Sequence, residues 1–330
     1  MKILLFVFLV ILMPVYRVYA QEIVTPLFKI VDRFPLSFNK TNKISTEFIS
    51  FTSEGDYFYL LNKKAEIHVF DKHGHFSKTI SISMTSPQAL YSGNDNTIWA
   101  YDFGNGTGNG KLINFNFSGA LLDTFKLSGF LGGDVEFSSE NIIYLAEYNF
   151  HKGNYPEIVK RLRSGKELLR IRALENRGTF IPGRMYSKLI ELDDKGTLYI
   201  CQTHSYQISV YSSGGATLYT FTNPSFIQRP YSQSELQRLP PIMMGLTTSD
   251  YPAAVDFFLL FGNRYLLTFL KKRPGDAEYA VDCFTRSGKY LTQFKLTTFD
   301  KLYDVCSDMH SVYLLCENNL TQEVQEWQME

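Results

Sequence analysis

The chain has 330 residues with 33 basic and 33 acidic side chains, so no net charge draws it to nucleic acid or to an anionic membrane. Phe and Tyr together number 48 (27 + 21) while charged residues are 20%, a balance that suits half-buried pleated surfaces better than long charged helices. The length allows two average domains or one large all-β domain.

Residues 1–20 read as an export leader. Lys2 supplies a short positive region, an apolar run follows from Ile3 to about Val15, and Val18-Tyr19-Ala20 predicts cleavage between Ala20 and Gln21. The run is too short to cross a bilayer of about 30 Å, and Pro14 and Arg17 interrupt its end. No Cys follows it to carry a lipid. The expectation is a periplasmic or secreted protein without a transmembrane span in its mature part, 21–330.

Beyond the leader, Phe28 to Phe34 reads as a strand with no partner nearby in the sequence. A unit then recurs, with a strand centred on an aromatic. Its copies are Tyr57 to Leu61, Thr97 to Ala100, Ile142 to Leu145, Thr197 to Ile200, Arg264 to Leu267 and Ser311 to Leu314. Each of the first five copies is followed by another strand, a turn with Gly at 74, 119, 165, 215 or 288, and a fourth strand. Period-2 alternation over runs of about five residues is the signature of strands, and four such strands every 40–50 residues or so is that of a propeller blade.

The sixth unit ends near Val324 to Trp327 without a fourth strand, so the unpartnered N-terminal strand is expected to complete it and cover its open edge. The predicted fold is therefore all-β, a single six-bladed β-propeller. The pattern Gly196-Thr197-Leu198-Tyr199-Ile200, then Ile208-Ser209-Val210-Tyr211, then Gly resembles the NHL-like six-bladed propellers of exported bacterial proteins. That resemblance implies blade packing rather than a particular chemistry.

Between the fourth and fifth units, Thr222 to Tyr251 is too long for a turn. Ser232 to Leu239 reads as a short helix stopped by Pro240-Pro241. Phe226, Tyr231, Ile242, Met243 and Met244 make the segment apolar enough to be a partner-binding surface. A smaller insertion spans Leu174 to Tyr186.

Sites of chemistry are harder to find. Gly104 to Lys111 is Gly-rich, but the first Gly of a phosphate loop would fall on Asn105 and Leu112 stands where Ser or Thr is required. His68, His73 and His75 surround one hairpin; His-x-His can bind a transition metal, but His73 and His75 flank the Gly74 turn and a solvated turn is the favoured reading. The four cysteines, at 201, 283, 306 and 316, lack a framework spacing. They read as buried thiols, with Cys306 and Cys316 the pair that a bridge would join.

On the innermost strands, four acids stand between apolar neighbours: Glu136, Glu191, Asp256 and Asp304. Alternation turns these acids away from the apolar packing and toward a central channel, where they either line a wet pore or hold Ca²⁺ or another divalent cation. No catalytic residue is identified. The function expected is binding or scaffolding of a protein or small ligand in the cell envelope. The alternative is a lactonase-like, metal-dependent hydrolase or lyase acting at the channel, although the Asn and Asp partners of that pattern are missing.

Overall fold

A computed structural model describes residues 28–36, 47–93, 96–105, 110–127, 130–138, 141–148, 156–171, 189–202, 205–227, 230, 232, 254–272, 276 and 278–329. Over these residues the chain forms six four-stranded antiparallel sheets. Blade 1 is β2 (Phe48–Glu54), β3 (Tyr57–Asn62), β4 (Glu66–Asp71) and β5 (Phe76–Ser81). Blade 2 is β6 (Pro87–Gly93), β7 (Thr97–Asp102), β8 (Lys111–Asn116) and β9 (Leu121–Lys126). Blade 3 is β10 (Phe130–Ser138), β11 (Ile142–Tyr148), β12 (Pro156–Leu162) and β13 (Glu167–Ile171). Blade 4 is β14 (Ile190–Leu192), β15 (Leu198–Cys201), β16 (Ile208–Tyr211) and β17 (Thr217–Phe221). Blade 5 is β18 (Val255–Phe261), β19 (Tyr265–Leu270), β20 (Tyr279–Thr285) and β21 (Tyr290–Leu296). Blade 6 holds β22 (Lys301–Ser307), β23 (Val312–Asn318) and β24 (Thr321–Met329), with β1 (Phe28–Pro35) beside β24 in a register from Phe28↔Met329 to Pro35↔Glu323.

Each first strand lies beside the first strands of both neighbouring blades, so β2, β6, β10, β14, β18 and β22 form a closed inner ring. The apolar core is divided in the same way, one cluster to each seam between blades. Aromatic and β-branched side chains fit because both faces of every sheet meet another sheet. Trp99, Tyr59 and Tyr199, each at the centre of a second strand, are almost wholly buried in these seams.

Blade 5 departs from the expected register. A bulge between Val255 and Phe257 pairs Phe257 with Phe269, as the bulge of blade 1 pairs Ser50 with Leu61. Leu267 therefore takes the place of Tyr59, and Tyr265 lies two residues too early.

The turn between third and fourth strands interlocks successive blades. The α-carbon of Gly288 in blade 5 lies so close to blade 4 that a Cβ there would stand 2.6 Å from Phe221 Cδ1. Gly74, Gly119 and Gly215 press in the same way on Phe34, Ile80 and Leu169, each on the outermost strand of the preceding blade. The residue three before Gly165 or Gly288 starts the turn and the next carries a cation. Arg163 lies 5.4 Å over Trp99 of blade 2, and Lys72 of blade 1 lies 4.0 Å over Tyr313 of blade 6. In blade 2 the same place is held by Phe117, stacked on Tyr59 at 5.7 Å. Where blade 4 has Ser213 instead, Lys160 of blade 3 reaches its carbonyl at 2.9 Å.

Among the described residues no helix occurs, and the helical turn expected over 232–239 lies outside them except for Ser232. The leader, 1–20, lies outside them too. All four cysteines are buried and none is in a disulfide, Cys306 and Cys316 included.

Candidate functional site

The two ends of the ring differ. First strands start at one end, here termed the entry face, and run to the other, the turn face. On the turn face the connections are short, such as Gly55-Asp56 or 72–75. The strands that flank 36–47, 103–110, 149–155, 172–189, 222–254 and 271–278 end and begin again at the entry face. The longer connections thus leave from and return to one face, the usual arrangement for binding loops on a rigid scaffold.

The acids expected at the channel occupy three levels of the inner ring. Glu136 and Glu191 lie opposite Tyr144 and Tyr199, at equivalent positions of neighbouring blades 3 and 4. Asp304 lies opposite Leu315, two residues nearer the entry face. Asp256 is the bulged residue of β18, half-buried with Lys271 Nζ at 3.8 Å. Two residues of strand are about 6–7 Å, so the four do not share one level. Among the described residues, no three His, Cys, Asp or Glu side chains cluster as a metal ion requires.

Asp304 turns sideways into blade 1. Its Oδ2 accepts from the Ser50 hydroxyl at 2.6 Å and from the Phe51 amide at 3.0 Å, while Oδ1 accepts from the Val305 amide at 2.8 Å. Ser50 Oγ in turn accepts from the Leu90 amide of blade 2 at 3.1 Å. Asp134 repeats the device between blades 3 and 4, with Oδ2 accepting from the amides of Leu189 at 2.7 Å and Ile190 at 3.0 Å. An innermost strand has one edge without a ladder partner, and its amides need acceptors once buried. Polar side chains of the adjacent blade supply them. Both faces of a propeller sheet are covered by neighbours, so the Asp304 side chain, turned away from Val305, meets blade 1.

At the entry ends of the second strands, polar residues three after the central aromatic are buried: Asn62, Asp102, Glu147 and Gln202. Asp102 accepts from the amides of Ser86 at 2.8 Å, Thr85 at 3.0 Å and Gly104 at 3.0 Å. Burial raises its carboxyl, but those three amides, with Lys111 nearby, outweigh it and hold the group below its ordinary value. Asn62 fixes the buried His68, its Nδ2 standing 3.1 Å from His68 Nε2. Burial lowers the His68 pKa, and Glu66 opposes this only in part. Glu147 pairs with Arg161 at 2.9 Å. His75, by contrast, is exposed on the turn face and bonds Asp71 at 3.0 Å.

A further acid joins the entry face to a seam. Asp282 on β20 is fully buried and faces the seam between blades 4 and 5. Its Oδ2 accepts from the Tyr206 hydroxyl and from Asn223 Nδ2 at 2.8 Å, and its Oδ1 accepts from Gln293 Nε2 at 2.8 Å. An acid alternating with Val281 and Cys283 inside an apolar strand was the signal available for it.

Of the residues assigned to partner binding, Phe226 is partly buried and meets Tyr206 edge-on at 4.8 Å. It helps root the 222–254 connection. Tyr231, Ile242, Met243 and Met244 lie outside the described residues. Ile227, next to Phe226, is 84% exposed.

No protein-family model matches the chain, and no curated protein matches it. Among solved structures, it is similar to the selenomethionine-substituted virginiamycin B lyase of Staphylococcus aureus, with a TM-score of 0.49 and 12% identity. The likeness covers 92% of this chain and 99% of that one.

Proposed function

We propose that the protein is an exported binding or scaffolding propeller that receives a protein or small ligand of the cell envelope on its entry face. The observation that carries this reading is the asymmetry of the connections: the longest, 172–189 and 222–254, leave from and return to the entry face, and the turns opposite are short. The exposed Ile227 at the root of 222–254 is consistent with an apolar contact there. Removal of a leader over 1–20, an NHL-like relationship, a helical turn near 232–239 and closure of the ring by β1 belong to the same proposal. The pairing of β1 with β24 supports the last of these.

A metal-dependent hydrolase or lyase would have to work through Glu136 and Glu191, the two inner acids at one level in adjacent blades. Ca²⁺ or another divalent ion would be its cofactor.

The test compares immobilised protein with two variants for retention of a component of the native envelope fraction. One variant replaces 228–253 by a short Gly/Ser link, and the other changes the exposed turn-face Met309 to Ser. Retention by the wild type and Met309→Ser, lost in the link variant, is the result expected. Equal retention by a folded link variant would sink the reading. Metal analysis of the purified protein decides the catalytic alternative.

A further inference from the structure

The first residues of the 222–254 connection fold down into the seam between blades 4 and 5 instead of leaving blade 4 directly. Thr222 Oγ1 donates to the Tyr206 carbonyl at 2.5 Å. Asn223 uses its whole side chain, for Nδ2 donates to Asp282 Oδ2 while Oδ1 accepts from the Ser225 amide at 2.8 Å. The Asn223 carbonyl accepts from the Phe226 amide at 3.1 Å, which closes a turn. Phe226 then covers Tyr206, itself fully buried in the left-handed region at φ 52°.

These contacts converge on one carboxylate. The donors to Asp282 come from three separate segments: the 202–207 connection through Tyr206, the root of 222–254 through Asn223, and β21 through Gln293. Both entry-face connections meet on Oδ2, whereas Oδ1 faces Gln293 within blade 5. A carboxylate is an acceptor with two oxygens, so it can hold several donors in place at once, and buried hydrogen bonds to a charged group are strong.

We propose that Asp282 is the positioning residue of the entry face, setting how the 222–254 connection leaves the seam between blades 4 and 5 and so how Ile227 is presented. This rests on the entry face being the binding surface, but its geometry stands without a partner. The effect passes from Asp282 through Asn223 to the amides of Ser225 and Phe226. Asp282 itself touches no ligand.

Hydrogen exchange on the full chain tests this without a ligand. In Asp282→Asn and Asn223→Ala, the amides of Ser225 and Phe226 should exchange roughly tenfold or more faster, the effect of losing a hydrogen bond to a charged group. The amides of β18 and β19 should keep wild-type rates. Gln293→Leu, which breaks only the Oδ1 contact, should leave Ser225 and Phe226 protected. Unchanged protection of those two amides in Asn223→Ala would overturn the proposal, as would equal acceleration throughout blade 5 in both variants. Altered exchange with unaltered retention of the envelope component would instead count against the entry face as the binding surface.

Discussion

Replacing Gly288 by Ala tests the interlock between blades 4 and 5. Two costs combine at this site. The backbone has φ 86°, where an L-residue is strained by about 1–2 kcal/mol. The new methyl would also stand 2.6 Å from Phe221 Cδ1 and 2.8 Å from Cγ, so the ring or the turn must move, at about 1–3 kcal/mol. Gly165 is the control, with a similar φ of 92° but a nearest atom, Phe125 Cε2, at 3.8 Å. Gly165→Ala should therefore cost only the backbone share, about 1–2 kcal/mol. Urea unfolding of both variants, with equal m, gives the difference. Adding Phe221→Ala to Gly288→Ala should make the second substitution cheaper than it is alone, because the obstructing ring has gone. Equal losses at 288 and 165, with no coupling to Phe221, would refute the idea that close approach between blades fixes this glycine.

Asp304→Ala strips acceptors from Ser50, Phe51 and Val305 and should cost about 2–4 kcal/mol, against about 1–2 kcal/mol for Ser50→Ala, both read by urea unfolding. Asp102 has a carboxyl held below its ordinary value, so its contribution is present above the unfolded-state value and is lost as pH falls through the folded one. Asp102→Asn should thus weaken the protein near neutrality and flatten the steepest acid part of the stability profile. His68 also has a lowered pKa, so stability should begin to fall as pH drops below about 6.5, and His68→Gln should remove that early loss. Burial pushes the Cys283 thiol up to about 12 and raises those of Cys201 and Cys316 as well, so a thiol reagent at neutral pH should label none of these three until denaturant is added.

The six-blade architecture was legible because its requirements are local. A tight turn needs glycine at a fixed offset, as at Gly119 and Gly288, and a strand between two sheets needs apolar residues around an aromatic such as Trp99. The register of blade 5 was not legible, since Tyr265 and Leu267 fit period 2 equally well and the bulge at Asp256 decides between them. The bonds that Asp304 makes to blade 1 were not legible for another reason. Alternation separates the faces of a sheet, but in a ring each face looks at another blade, and the acceptor a buried amide needs comes from across the seam. Asp282 escaped notice because its donors Tyr206 and Asn223 are 76 and 59 residues away in sequence. Only the folded ring brings them within reach.

The pairing of Phe28 with Met329 has a consequence for attachment. β24 runs toward the turn face and β1 runs away from it, so the two outer ends of this blade emerge together on the side opposite the long connections. Any tether joined before Phe28 or after Met329 would hold the ring from behind. The loop-bearing side would then look outward from whatever surface the tether is fixed to, free to meet material arriving from solution.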